Sequence, residues 1–143
     1  MYKRQGIQAA ILNVKLNYIK DWTSKRIINA KKYANSLKGI KEVVLPKTRT
    51  NSTHSFHLFV IQAEKRDELK VFLKNKNIET AIHYPKALPA LEAYKKYNYN
   101  LDEFPVAMSL SSKILSLPIY PELQENQINY VSESIREFYN QNN

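Results

Sequence analysis

At 143 residues the chain has the length of one ordinary domain, enough to bury about 70% of the surface its unfolded form exposes. An apolar fraction of 43% with 11% aromatic residues excludes a disordered or low-complexity chain, and the lack of cysteine excludes disulfide scaffolds and thiolate chemistry. No apolar run approaches the ~20 residues of a membrane span, and the N-terminus lacks the apolar h-region of a secretory signal, so a soluble, cytoplasmic domain is expected.

The net charge of +9 is unevenly spread: 12 Lys/Arg against 2 Asp/Glu in residues 1–50, 8 against 5 in residues 51–100, and 2 against 6 in the remainder. A basic first third and an acidic last third fit a phosphate-binding stripe. They fit equally a piece of a larger chain whose missing part balances the charge.

In chain order, residues 7–37 read as one long helix or two closely joined ones. Ile7, Ile11, Val14, Tyr18 and Trp22 form one apolar row, and Leu12, Leu16 and Ile19 a second beside it, a face wide enough to pack on two partners. Gly39 stands where a C-terminal cap belongs. Residues 42–45 read as a strand stopped by Pro46, and 47–53 as a loop. Residues 55–62 read as a doubly covered strand, with Phe56, Leu58 and Val60 on one face and His57, Phe59 and Ile61 on the other. Residues 65–76 form an amphipathic helix with Asp67 and Glu68 in its first turn, where the helix dipole favours anions. Residues 78–84 read as a third strand ended by Pro85. A short helix through Ala90, Leu91 and Tyr94, a Tyr/Asn-rich turn, a helix over 105–115 and an extended segment over 116–121 follow, the last pinned by Pro118 and Pro121. Residues 124–139 close the chain as a helix with Ile128, Val131, Ile135 and Phe138 inward. The expected fold class is α+β: a long N-terminal helix and a small three-stranded sheet, antiparallel or mixed, covered by helices.

The chemistry-bearing residues are few. His54 and His57, three apart on a predicted strand, point to opposite faces and cannot share a metal; His83 has no partner at ligand spacing, so no metal site is expected. As strand residues, His57 and His83 fit buried, hydrogen-bonded positions. Gly6 and Gly39 alone cannot build a phosphate loop or a nucleophile elbow. Lys31, Lys32, Lys38 and Lys41 fit a solvated helix face. Tyr94, Tyr97 and Tyr99, beside Lys95 and Lys96, are placed to stack bases, although no RNA-binding signature surrounds them.

A resemblance emerges from five segments. Ile78-Glu79-Thr80-Ala81-Ile82-His83-Tyr84-Pro85 resembles the "GI-x-T-x-IHYP" strand of the DegT/StrS-type pyridoxal-phosphate-dependent sugar aminotransferases. Gly6-Ile7-Gln8-Ala9-Ala10-Ile11-Leu12 resembles their "IQAAIL" helix start, and His57-Leu58-Phe59-Val60-Ile61 with Arg66-Asp67-Glu68-Leu69 resembles "HLFVI…RDEL". Phe104-Pro105-Val106-Ala107 and the run from Leu115 to Leu123 resemble "FPVA" and "LSLPxYPEL". Order and spacing agree over residues 6–143.

The resemblance implies an aspartate-aminotransferase-type fold, of which this chain is the small C-terminal α+β domain, its first helix linking to a large cofactor-carrying domain. It implies pyridoxal 5'-phosphate as the cofactor of the intact parent, a nucleotide-linked keto sugar as acceptor, an amino acid (glutamate) as donor, and a homodimer, with neither nucleic acid nor membrane as partner. The Schiff-base lysine and the phosphate loop belong to the large domain, so no catalytic or cofactor-binding residue is expected here, and the chain alone is expected to be inactive. Ser55-Phe56-His57 resembles the triplet preceding the family's lysine, but Val60 stands in the lysine's place. His83 and Tyr84 are the expected substrate-binding residues, with the extended Ser116-Leu117-Pro118 segment expected beside them. Pro89 and Leu91 replace the His and Gln of a "PxHxQ" element that follows "IHYP" in many relatives. Met1-Tyr2-Lys3-Arg4-Gln5 resembles a translated sequencing adapter, so residues 1–5 are expected to be a non-native leader in place of a "GxNxR" motif. A stand-alone basic binding or dimerisation domain is the alternative.

Overall fold

The computed structural model describes residues 6–141; the leader assigned to residues 1–5 lies outside them. The elements are α1 (Gly6–Leu16), α2 (Ile19–Ser36), β1 (Val43–Val44), β2 (Phe59–Ala63), α3 (Arg66–Asn75), α4 (Pro105–Lys113), β3 (Ile114–Leu117) and α5 (Glu125–Gln141), with 3₁₀ turns at Leu88–Ala90, Glu92–Tyr97 and Leu101–Glu103. The α+β class holds, and the small three-stranded sheet is antiparallel in the order β1-β2-β3.

The third strand is not where the sequence pattern puts it. Residues 78–84 contribute a single bridge, Ala81 to Ser116, and Ile114–Leu117 takes the place beside β2, pairing Phe59 with Leu117 and Ile61 with Leu115. Strand β2 also starts later than its apolar pattern, so His57 lies outside it and is exposed, not buried. With His54 and His57 both in the preceding loop, the opposite-face argument against a shared metal lapses. Among the described residues no group of three or more potential ligands gathers in any case.

The first helix breaks in two at residues 17–18. Tyr18 stacks on Trp22 at 5.7 Å between ring centroids, and α1 buries none of its residues. The core row is carried by the second half of α2 and its C-cap, where Ala30, Tyr33 and Leu37 are buried at three- and four-residue steps, and Tyr33 stacks on Phe59 at 5.1 Å. Gly39, at φ +90°, turns the chain back toward β1. No atom crowds the position a Cβ would occupy there, so the requirement is conformational.

Helix α5 buries Ile128, Val131, Ile135 and Phe138 against α2 and α3. Its start is closed by the Gln127 side chain, which accepts the Gln124 N–H at 2.9 Å, the reciprocal half of a capping box. Helix α3 ends in a Schellman motif: Asn77, at φ 59°, takes the left-handed position, the Ile78 N–H reaches Leu73 O and the Asn77 N–H reaches Lys74 O, both at 2.9 Å. Phe59, Ile61, Leu69, Leu73, Leu115, Ile128 and Ile135 are fully buried between sheet and helices, each side chain contributing about 1.5–3 kcal/mol of burial.

Candidate functional site

The edge of β3 positions the first group of candidate side chains. Ser116 pairs with Val60 in β2, and its own backbone exchanges two hydrogen bonds with Ala81, at 3.2 and 2.7 Å. That bridge carries the following residues across the strand end, and His83 Nδ1 shares a 2.9 Å hydrogen bond with the buried Ser116 hydroxyl. The ring is thereby fixed through Nδ1, which leaves Nε2 for an incoming ligand. His83 is half-buried. Tyr84 meets it edge-to-face at 5.7 Å and is 74% exposed. The two residues expected from the sequence therefore stand together, one anchored and one open to solvent. Ser116, expected beside His83 as part of the extended 116–118 segment, is brought to it; the hydrogen bond between the two is what the sequence does not encode.

A second group closes around α2. Arg26 Nη1 donates to the carbonyl of Ile119 at 2.7 Å and, at longer range, to those of His57 (3.4 Å) and Phe56 (3.5 Å). Asn29 Nδ2 donates to Tyr120 O at 3.0 Å. These contacts hold the extended 118–121 segment and the loop before β2 against one helix. They leave a cleft of about 440 Å³ lined by Trp22, Thr23, Ser55, His57 and Glu122 among others. Ser55 and His57 of the lysine-like triplet thus line a groove, and Val60 lies in the sheet.

Pyridoxal phosphate does not fit the residues present. A lysine that condenses with it needs a desolvated setting that lowers its pKa. Among the described residues every lysine is at least partly exposed, and Lys25, Lys32, Lys76, Lys95 and Lys113 each lie within 2.6–2.8 Å of a carboxylate. The hydrogen bonds that Lys25 donates to Asp21 and Lys76 donates to Glu137 push those two ammonium groups up, the wrong direction for a nucleophile.

Residues 1–136 match the model of the DegT/DnrJ/EryC1/StrS aminotransferase family. The chain belongs to that family. Among its relatives, a "pleiotropic regulatory protein" of Geobacillus stearothermophilus is 40% identical over 135 residues, covering 93% of this chain and 36% of its own length. The dTDP-3-amino-3,4,6-trideoxy-alpha-D-glucose transaminase of Streptomyces venezuelae is 33% identical over 132 residues, covering 92% of this chain and 35% of its own. The crystal structure of S. venezuelae DesV in complex with a ketimine intermediate superposes with a TM-score of 0.89 at 31% identity, over 96% of this chain and 39% of that one. This family member therefore spans little more than a third of the relatives it matches. No described helix is long and apolar enough to cross a membrane.

Proposed function

We propose that the chain is the small C-terminal domain of a cytoplasmic, homodimeric, pyridoxal-phosphate-dependent aminotransferase that moves an amino group from glutamate onto a nucleotide-linked keto sugar. The likeness to the S. venezuelae structure, close over almost the whole chain, is the observation that carries this reading. Pyridoxal phosphate supplies the electron sink of such chemistry when bound, and the lysine that holds it is assigned to the part of the parent outside this chain. The roles left to these residues are binding and orientation. His83, held through Nδ1 by Ser116, presents Nε2 to a sugar hydroxyl, and the exposed Tyr84 ring forms a wall beside it. A proton-transfer role is not needed of His83, since the cofactor lysine serves it.

The test is the genomic DNA upstream of the codon for Gly6. An in-frame domain carrying a cofactor lysine and a phosphate loop is expected there, and a stop codon would overturn the proposal in favour of a stand-alone module.

A further inference from the structure

We infer that the cleft beside α2 binds an α-amino acid with an apolar side chain, held as its zwitterion between Arg26 and Glu122. Every group it uses lies in this chain, so the site stands or falls separately from the aminotransferase reading.

Arg26 and Glu122 are the only residues with a fixed charge among those lining the cleft of about 440 Å³. The Arg26 side chain is half-buried, and its hydrogen bonds all leave from Nη1, to the carbonyls of Phe56, His57 and Ile119. Those neutral carbonyls fix the guanidinium in place without balancing its charge, and no carboxylate pairs with it among the described residues. Nε and Nη2 keep their donors for a carboxylate, whose two oxygens a guanidinium edge matches. Glu122 is exposed and likewise forms no ion pair among the described residues. Lys25, whose ammonium feels the Glu122 charge, is taken by Asp21 at 2.8 Å. A cation and an anion that share a cleft without pairing with each other present the complement of a zwitterion, carboxylate to Arg26 and ammonium to Glu122.

The rest of the wall is uncharged. Ile19, Trp22 and Pro121 offer hydrocarbon surface to a side chain. A second carboxylate, as in glutamate, finds no further cation among these residues and is repelled by Glu122. The loop that brings Ser55 and His57 to the cleft is clamped. Phe56 takes φ 46°, a left-handed conformation rare for a bulky residue. It is held there by the His54 ring, which accepts the Phe56 N–H at 2.9 Å, and by Arg26 on its carbonyl. Backbone strain of this kind gathers at ligand-binding segments.

Trp22 is the single tryptophan and lines the cleft, so its fluorescence reports occupancy. Titration of the full 143-residue chain with L-leucine should give a saturable change in the millimolar range, because solvent screens both charges. Isocaproate, which lacks the ammonium, and isoamylamine, which lacks the carboxylate, should each bind about tenfold more weakly. L-Glutamate should also bind more weakly than leucine. Glu122→Gln should bind leucine and isocaproate alike, with an unchanged melting temperature. Arg26→Gln should lose leucine binding; since Arg26 also ties three carbonyls, the Glu122 variant decides if this one does not fold. No saturable change with leucine, an equal response to isocaproate in the unaltered chain, or tighter binding of glutamate would overturn the inference. So would unaltered leucine affinity in folded Glu122→Gln.

Discussion

His83 Nδ1 lies 2.9 Å from the hydroxyl of Ser116, a residue 33 positions further along the chain. The contact depends on the Ala81–Ser116 bridge, which joins the 78–84 segment to the interior of β3 and holds the imidazole in a half-buried position. Removing the hydroxyl leaves that backbone bridge intact. Ser116→Ala should therefore cost about 1 kcal/mol of stability while freeing the imidazole to rotate. In the full coding unit that contains this chain, the sugar's KM should rise severalfold, and His83→Ala should lower kcat/KM about tenfold, equivalent to about 1.4 kcal/mol. A fall in melting temperature with normal kinetics of the surviving folded enzyme would make His83 purely structural.

Two phenols make the domain alkali-sensitive. Burial pushes the Tyr33 hydroxyl up from its ordinary value of 10.0, with Tyr120 adding to the shift. Burial, then the Glu42 and Glu64 carboxylates, do the same to Tyr139, whose hydroxyl donates to Glu64 O at 2.6 Å. A phenol with a raised folded pKa keeps its proton in the native state after the unfolded chain has lost it. Stability is thus full below about pH 10 and falls as pH rises above it. Thermal melts should be flat from neutrality to about pH 9 and drop beyond about 10. Tyr139→Phe should cost about 1 kcal/mol at neutral pH and give a shallower alkaline fall; an identical slope in this variant would contradict the assignment.

Helix α1 carries Ile7, Ile11, Leu12, Val14 and Leu16 with more than half of each exposed. A contiguous apolar surface of that kind exceeds the few hundred Å² usual for monomers. The chain is expected to self-associate in sedimentation velocity as its concentration rises. Because α1 buries nothing, the triple change Ile7→Lys, Leu12→Glu, Leu16→Lys should abolish association without lowering the melting temperature. A clean monomer at high concentration in the unaltered chain would refute the expectation.

The long, amphipathic elements were legible in the sequence and the short ones were not. Helix α5 announces itself through Ile128, Val131, Ile135 and Phe138, and α3 through Leu69 and Leu73, because a repeated helical period is a local signal. Ile114 to Leu117 is a four-residue apolar run directly after a helix, where periodicity cannot tell the end of one element from the start of the next. Its first two residues read as the end of a helix over 105–115 and its last two as the start of an extended segment, while the bridge-forming 78–84 segment reads as strand. His83 was visible through its motif. Ser116 is legible as part of an extended segment ahead of Pro118, but its hydrogen bond to His83 is not, since that arises from pairing across the sheet, a relationship no local pattern encodes. The apolar rows of α1 are legible as a face that needs partners and is left exposed without them; where a partner sits is not, because an apolar row carries no such information.

The ion-paired, solvent-exposed lysines carry a chemical prediction. Incubating the chain with pyridoxal phosphate and reducing with borohydride should label several lysines weakly and no single one stoichiometrically. A cofactor absorbance that survives dialysis, with one lysine fully modified, would show a pocket where the described residues provide none.

In the proposed reading, this family member's chain is the sugar-holding part of an aminotransferase. Its most direct test is amino transfer by the full coding unit loaded with pyridoxal phosphate, with isotope-labelled nitrogen in glutamate and a nucleotide-linked keto sugar as acceptor, read by mass spectrometry. Labelled nitrogen is expected in the nucleotide-linked sugar, with transfer about tenfold less efficient in His83→Ala. A loaded, folded protein that leaves every such keto sugar unlabelled would contradict it.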